Sequence, residues 1–203
     1  MTDSQSEFRS GFVAIVGKPN VGKSTLMNEI LHQQLAAVSI RPQTTRKRQL
    51  GILTTQNAQI IFIDTPGLHE VQYKLSSFIN AEALSALHDS DVILFLVDLS
   101  SLPDSEDERL ANEITVNVPG TPVIMVLNKA DLAPKPIKTR NINAYKALAS
   151  TAHAIEISAL KNQNVDKLLE MIIENLPEGP QYYPEDQVTD YYEREIAADL
   201  IRA

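Results

Sequence analysis

Gly17-Lys18-Pro19-Asn20-Val21-Gly22-Lys23-Ser24, with Thr25 behind it, constrains this chain more than any other stretch. The spacing is G-x-x-x-x-G-K-S, a loop that wraps a phosphate chain. Two glycines let the backbone come close to an anion, so that successive N–H groups turn inward. Lys23 is placed to reach the β- and γ-phosphates of a nucleotide, and the Ser24 hydroxyl to ligate Mg²⁺. A helix starting near Lys23 turns its positive dipole end to the same anion. Both flanks agree with this. Residues 12–16 form a short apolar run that suits a buried strand, and residues 24–31 suit a helix. The competing reading is an ordinary glycine turn in an α/β protein, and the strand–loop–helix setting disfavours it.

The rest of the chain extends that unit. Apolar strand runs lie at 12–16, 50–54, 59–64, 92–98, 122–128 and 154–158. The later runs are continuous Ile and Val stretches, as expected of strands covered on both faces of a parallel sheet. Residues 50–54 and 59–63, joined by a short polar link, read as a hairpin and supply one antiparallel edge strand. Helical patterns fall at 71–89, 105–117, 137–151 and 165–175. The expected fold is a six-stranded, mostly parallel α/β sheet with helices on both faces. Such sheets bind ligands at the carboxyl ends of their strands, and every motif below lies at one.

Composition narrows the class further. Cysteine is absent, so neither a disulfide framework nor a cysteine metal site is available. His32, His69, His88 and His153 are scattered without ligand spacing. No apolar run approaches the ~20 residues that span a bilayer, and residues 1–10 do not resemble a signal peptide. The expected location is the cytoplasm. The formal charge is −8, yet residues 1–60 carry seven Lys/Arg against three Asp/Glu, so the positive part is the part that faces phosphates. An acidic chain is a poor non-specific binder of nucleic acid, and DNA is not an expected partner. The acidic stretch 103–108 reads as a solvated helix start.

Three further motifs carry chemistry. Asp64-Thr65-Pro66-Gly67 ends the 59–64 strand. Beside a phosphate loop, the Asp64 carboxylate can hold Mg²⁺ through water, and Gly67 lets its N–H approach a γ-phosphate. Alone, the tetrapeptide would fit a strand-ending turn. Asn128-Lys129-Ala130-Asp131 ends the 122–128 strand. The two oxygens of Asp131 match the N1–H and 2-amino donors of guanine, whereas adenine would leave the carboxylate unpaired; such sites discriminate by ~10⁴ or more. The Lys129 stem can cover the base, and Asn128 can tie this loop to the phosphate loop. Ser158-Ala159-Leu160 follows the last strand, with backbone N–H groups for guanine O6, and gains meaning only as the last of the ordered set. Residues 39–50 are polar, with four Lys/Arg. They read as a segment that orders when one of its threonines joins the coordination of Mg²⁺ beside a γ-phosphate.

The ordered set of phosphate loop, Gln43-Thr44-Thr45-Arg46, Asp64-Thr65-Pro66-Gly67, Asn128-Lys129-Ala130-Asp131 and Ser158-Ala159-Leu160 resembles the translation-factor-related GTPases. Within them it is similar to the Era family of bacterial ribosome-assembly GTPases. The Gly-Lys-Pro-Asn-Val-Gly-Lys-Ser-Thr-Leu form, Pro42-Gln43-Thr44-Thr45-Arg46 and the tail Tyr183-Pro184-Glu185-Asp186-Gln187-Val188-Thr189-Asp190 carry the likeness. The resemblance implies a switch that binds GTP and GDP and hydrolyses GTP in small-subunit assembly. It implies 16S rRNA and the 30S subunit as partners, with peripheral contact to the inner membrane. Lys23, Asn20, Thr45 and Gly67 would be catalytic, and Ser24, Thr45 and Asp64 would surround Mg²⁺, with Thr44 as the alternative to Thr45. Leu68 stands where Ras-like enzymes place a water-orienting glutamine, which implies slow hydrolysis. Asn20 stands where potassium-using relatives help hold K⁺, an ion that would stabilise developing charge.

The division expected is an extension at 1–10, a GTPase domain at 11–177, and from 178 a linker leading into a KH-type RNA-binding domain that stops short. Pro177, Gly179 and Pro180 mark the boundary. No Gly-x-x-Gly loop follows Gly179, and residues 182–203 hold six Asp/Glu against two Arg, so RNA binding by this chain is expected to be weak. Two other readings compete. A small-molecule P-loop kinase would not need the guanine-matching Asp131. A guanine-nucleotide-dependent interaction module with negligible turnover is compatible with Leu68.

Overall fold

The computed structural model describes residues 8–31, 49–64, 86–149, 153–185 and 187. The strands are β1 (Arg9–Val16), β2 (Gln49–Thr54), β3 (Ala58–Asp64), β4 (Val92–Asp98), β5 (Val123–Asn128) and β6 (His153–Glu156). The helices are α1 (Lys23–Leu31), α2 (Ser105–Asn117), α3 (Lys135–Leu148) and α4 (Val165–Asn175), with a 3-10 turn at Ala159–Lys161. Residues 86–88 are helical too; the rest of the helix expected at 71–89 lies outside the described residues.

The strands form one six-stranded sheet in the order β2-β3-β1-β4-β5-β6. Only β2 runs antiparallel, paired to β3 as an edge hairpin. β4 opens with Val-Ile-Leu-Phe-Leu-Val, and these six side chains are fully buried, which explains the unbroken apolar run before Asp98. Its residues alternate between two cores. Val92, Leu94 and Leu96 meet Leu26, Met27 and Ile30 of α1 and Leu168 and Ile172 of α4 on one face. Ile93, Phe95 and Val97 meet Leu110 and Ile114 of α2 and Tyr145 of α3 on the other. Each such large side chain contributes about 1.5–3 kcal/mol on burial, so the sheet is held from both sides. Among the described residues, no helix is long and apolar enough to cross a membrane.

Several boundaries differ from the sequence reading. β1 starts at Arg9 rather than 12, because the polar Ser10 is buried with its hydroxyl donating to the Pro180 carbonyl. α3 starts at Lys135, ahead of Pro136, since proline is tolerated in the first turn where N–H groups have no helical partner. β6 ends at Glu156, and Ser158 caps the following turn instead of extending the strand. The acidic start of α2 is not all solvated: Asp107 is fully buried.

The chain after α4 is docked. Arg9 Nη1 donates to the carbonyls of Glu174 and Leu176, and Gly179 N–H to Phe8 O. Fully buried Gln59 accepts the N–H groups of Tyr182 and Tyr183 and donates to Tyr183 O. The Tyr182 ring lies 5.3 Å from that of Phe12. These contacts hold the amino-terminal ends of β1 and β3, the sheet end opposite to the motif loops.

Candidate nucleotide-binding site

The carboxyl end of β1 leads into the phosphate loop, and α1 begins at Lys23. Gly17 is packed so closely that an added Cβ would run into the Leu96 carbonyl of β4. Gly22 has φ +105°, and a Cβ there would collide with the Asn128 amide nitrogen. Asn20, exposed at the tip, takes the left-handed region with φ 59°. Lys23 is buried, and its ammonium donates to the carbonyls of Gly17 and Lys18 at 2.8 Å each, closing the loop on itself.

Lys18 points the other way. Its ammonium lies 2.7 Å from Asp104 and 2.8 Å from Asp107, at the start of α2. Burial opposes its charge, but the two carboxylates outweigh burial and raise its pKa well above the usual lysine range. Asp104 and Asp107 also form a capping box: Asp104 accepts the N–H groups of Glu106 and Asp107, and Asp107 accepts that of Asp104.

β3 brings Asp64 alongside. Its register against β1 pairs Asp64 with Ile15, two residues ahead of Gly17. Ser24 lies on the first turn of α1, and the backbone of β3 ends at residue 64 beside the start of the loop. A hydroxyl and a carboxylate are hard oxygen donors, the kind that fit Mg²⁺. Thr65, Pro66, Gly67, Leu68, Thr44 and Thr45 lie outside the described residues.

A second cluster lies at the ends of β5 and β6. Asn128 Nδ2 donates to Val21 O at 2.8 Å, and its Oδ1 accepts Ala159 N–H at 3.0 Å. One buried amide thus joins the phosphate loop to both later motifs. Lys129 is left-handed, φ 58°, and its ammonium donates to Asp98 Oδ2 at 2.6 Å. Asp98 also accepts the N–H and hydroxyl of Ser100. Burial pushes Asp98 up, but Lys129 and Ser100 together hold it below the ordinary carboxylate value. Asp131 is lowered by the hydroxyl of Ser158 foremost and by Lys161, against the opposing effect of burial. Ser158 N–H and Gln163 N–H close the turn by donating to each other's carbonyls. Leu160 is 80% exposed at its tip.

Residues 12–129 match the family described as 50S ribosome-binding GTPases. The chain belongs to that family. Among its curated relatives, the GTPase Era of Clostridium botulinum (strain Kyoto / Type A2) is 45% identical over 196 residues, which is 96% of this chain. The chain spans 65% of that relative's length. A crystal structure of Era with MgGDPNP and a segment of 16S ribosomal RNA superposes with TM-score 0.86 at 37% identity, over 96% of this chain and 66% of that one. A variant of Aquifex aeolicus Era bound to GDP and AlF4⁻ superposes with TM-score 0.85 at 38% identity, with the same coverage.

The structure therefore brings together, at one sheet end, the backbone of Gly17 to Thr25, Asp64, Asn128 to Asp131 and Ser158 to Leu160. Sequence reasoning missed the residues behind them. Asp98, the last residue of β4, anchors Lys129; its place at a strand end beside the motifs was the available signal. Asp104 and Asp107 anchor Lys18, and only the capping pattern hinted at their order. Lys161, next after the last motif, reaches Asp131.

Proposed function

We propose that the chain binds GTP with Mg²⁺ and hydrolyses it slowly, cycling between GTP and GDP forms as a switch. The observation that carries this reading is Asn128, whose amide joins Val21 of the phosphate loop to Ala159 beside Asp131. It sets phosphate-binding and base-reading groups in one frame. The phosphate-loop N–H groups and the Lys23 ammonium take the phosphates, and the Asp131 oxygens take the N1–H and 2-amino group of guanine. Ala159 N–H serves Asn128, and a backbone N–H of the Ser158-Ala159-Leu160 turn would meet O6. Mg²⁺, when bound, offsets charge on the β- and γ-phosphates; Ser24, Asp64 and Thr45 would hold it.

Slow turnover is inferred from Leu68, a side chain unable to orient water or handle a proton, and K⁺ stimulation from Asn20 at the loop tip. A second reading, a guanine-nucleotide-dependent interaction module with negligible turnover, draws on the same Leu68. Phosphate release under excess protein separates the two: a single turnover supports the enzyme. Equal rates in K⁺ and Na⁺ at matched ionic strength would count against an ion at Asn20. The reading assigns the GTPase unit to 11–177, and a linker with the start of a KH-type unit to 178–203. The Era complex makes 16S rRNA the partner class to test, with the cytoplasm as the location.

The decisive experiment is thermal melting with GTP, GDP, ATP and XTP. The parent should be stabilised by GTP and GDP alone. Asp131→Asn, which turns one acceptor into a donor, should lose guanine binding by on the order of 10³ or more and gain xanthine, which carries an oxygen at position 2. Unchanged GTP binding by that variant would place guanine recognition elsewhere.

A further inference from the structure

Asp131 already has company. Its carboxylate is 7% exposed, and Oδ2 lies 3.2 Å from the ammonium of Lys161, a side chain that is itself 55% exposed. The backbone under Lys161 is fixed. Lys161 N–H donates to the carbonyl and the hydroxyl of Ser158, at 3.2 and 3.3 Å, and the turn is closed by left-handed Asn162, φ 50°. The same Ser158 hydroxyl is the largest influence holding Asp131 below the ordinary carboxylate value. Ser158, Asp131 and Lys161 thus form one unit in which a half-exposed cation on a hydrogen-bonded turn faces a buried carboxylate.

Guanine needs both oxygens of that carboxylate, in its plane, for two parallel N–H donors. A carboxylate offers about four lone-pair positions. Ser158 and Lys161 occupy two, and the lysine brings a full positive charge that neutral base donors must displace or crowd aside. We propose that Lys161 controls nucleotide entry at this site: its ammonium stands in for the base donors on Asp131 and is exchanged for them when guanine arrives. This rests on the reading of Asp131 as the base-reading group. Lys161 keeps Asp131 ionised and aimed, and slows base docking by the worth of one partly exposed ion pair.

The test is the association rate of ribose-labelled fluorescent GDP in stopped flow, at low and high salt. Lys161→Met should associate about two- to fivefold faster than the parent at low salt, the range set by an exposed ion pair. The ratio should fall towards one as salt screens the pair. Lys161→Arg, which keeps the ion pair, should restore the parental rate. In an Asp131→Asn background, measured with labelled xanthosine diphosphate, Lys161→Met should give no acceleration, because the carboxylate is gone. That background also registers any lost steering of the anionic ligand. Equal GDP rates for parent and Lys161→Met at low salt would overturn the exchange, as would the same acceleration in the Asp131→Asn background. A parent that binds no guanine nucleotide would overturn the reading of Asp131 itself, and this inference with it.

Discussion

The two halves of the site are each held by a lysine within a motif and an aspartate outside it, but the two pairs are built differently. At the phosphate half, Lys18 is 12% exposed and meets Asp107, which is 1% exposed. At the base half, Lys129 is 30% exposed and meets Asp98, which is 22% exposed. The first pair leans the loop on the start of a helix, inside the protein. The second leans it on the end of the adjacent strand, within reach of water. A buried charge that loses its partner is far costlier than a partly solvated one. The Lys18 pair is therefore a fixed part of the fold and the Lys129 pair is the more solvated, which suits a loop proposed to read the base.

The largest expected effect follows from Asp107. Its Oδ1 is buried without a hydrogen-bond partner, and its Oδ2 is shared between Lys18 and the Asp104 N–H. Removing the cation leaves a carboxylate with one neutral donor. Lys18→Met should lower unfolding stability by about 3 kcal/mol in chemical denaturation, the lower end of the cost of stranding a buried charge. Adding Asp107→Asn should recover most of that loss, because no charge then remains stranded. A single-variant loss below about 1 kcal/mol, the size of an exposed pair, would mean that burial does not set the worth of this pair, and the contrast between the halves would fail.

Lys129→Met should cost less, about 1–1.5 kcal/mol, because Ser100 still donates twice to Asp98. Acid should expose the same pair. The folded pKa of Asp98 is lowered, so its contribution is fully present above the ordinary 3.8 and is lost as pH falls through the folded value. The melting temperature of the parent should drop below about pH 4, and Asp98→Asn should flatten that drop. Parallel acid curves for the two proteins would show that the Lys129–Asp98 pair contributes nothing to stability.

The contrast also explains what could be read from the sequence. Strand β4 was legible at both ends because a strand covered on two faces leaves an unbroken apolar run, 92–97, which Asp98 ends. The phosphate loop was legible because its geometry is local and needs glycine at positions 17 and 22. The anchors were not. Lys18 falls on a free position of the G-x-x-x-x-G pattern, and its partner Asp104 is 86 residues away. Asp107 looked like one more solvated acid in 103–108, since only the tertiary approach of the loop buries it. Gln59 looked like an ordinary strand residue, yet it holds Tyr182 and Tyr183 by imitating a strand edge. Periodicity reports which face is apolar; it does not report which polar side chain is paired across the fold.

The smallest predicted effect separates the two acids that share Lys18. Asp104 lies 2.7 Å from the ammonium, slightly nearer than Asp107, and its side chain is 59% exposed. Distance alone would rank it the stronger partner. Solvent reverses that ranking, because an exposed pair is screened and its ions keep most of their hydration. Asp104 also caps α2 by accepting two N–H groups, and asparagine caps nearly as well as aspartate. Asp104→Asn therefore keeps the cap and removes only the exposed charge. Its cost should be within about 0.5 kcal/mol in denaturation, and it should shrink further in 0.5 M salt. Asp104→Ala removes the cap as well and should cost about 1 kcal/mol with little dependence on salt. If Asp104→Asn cost as much as Lys18→Met, the exposed carboxylate rather than the buried one would be holding the phosphate loop, and burial would not be what distinguishes the two halves.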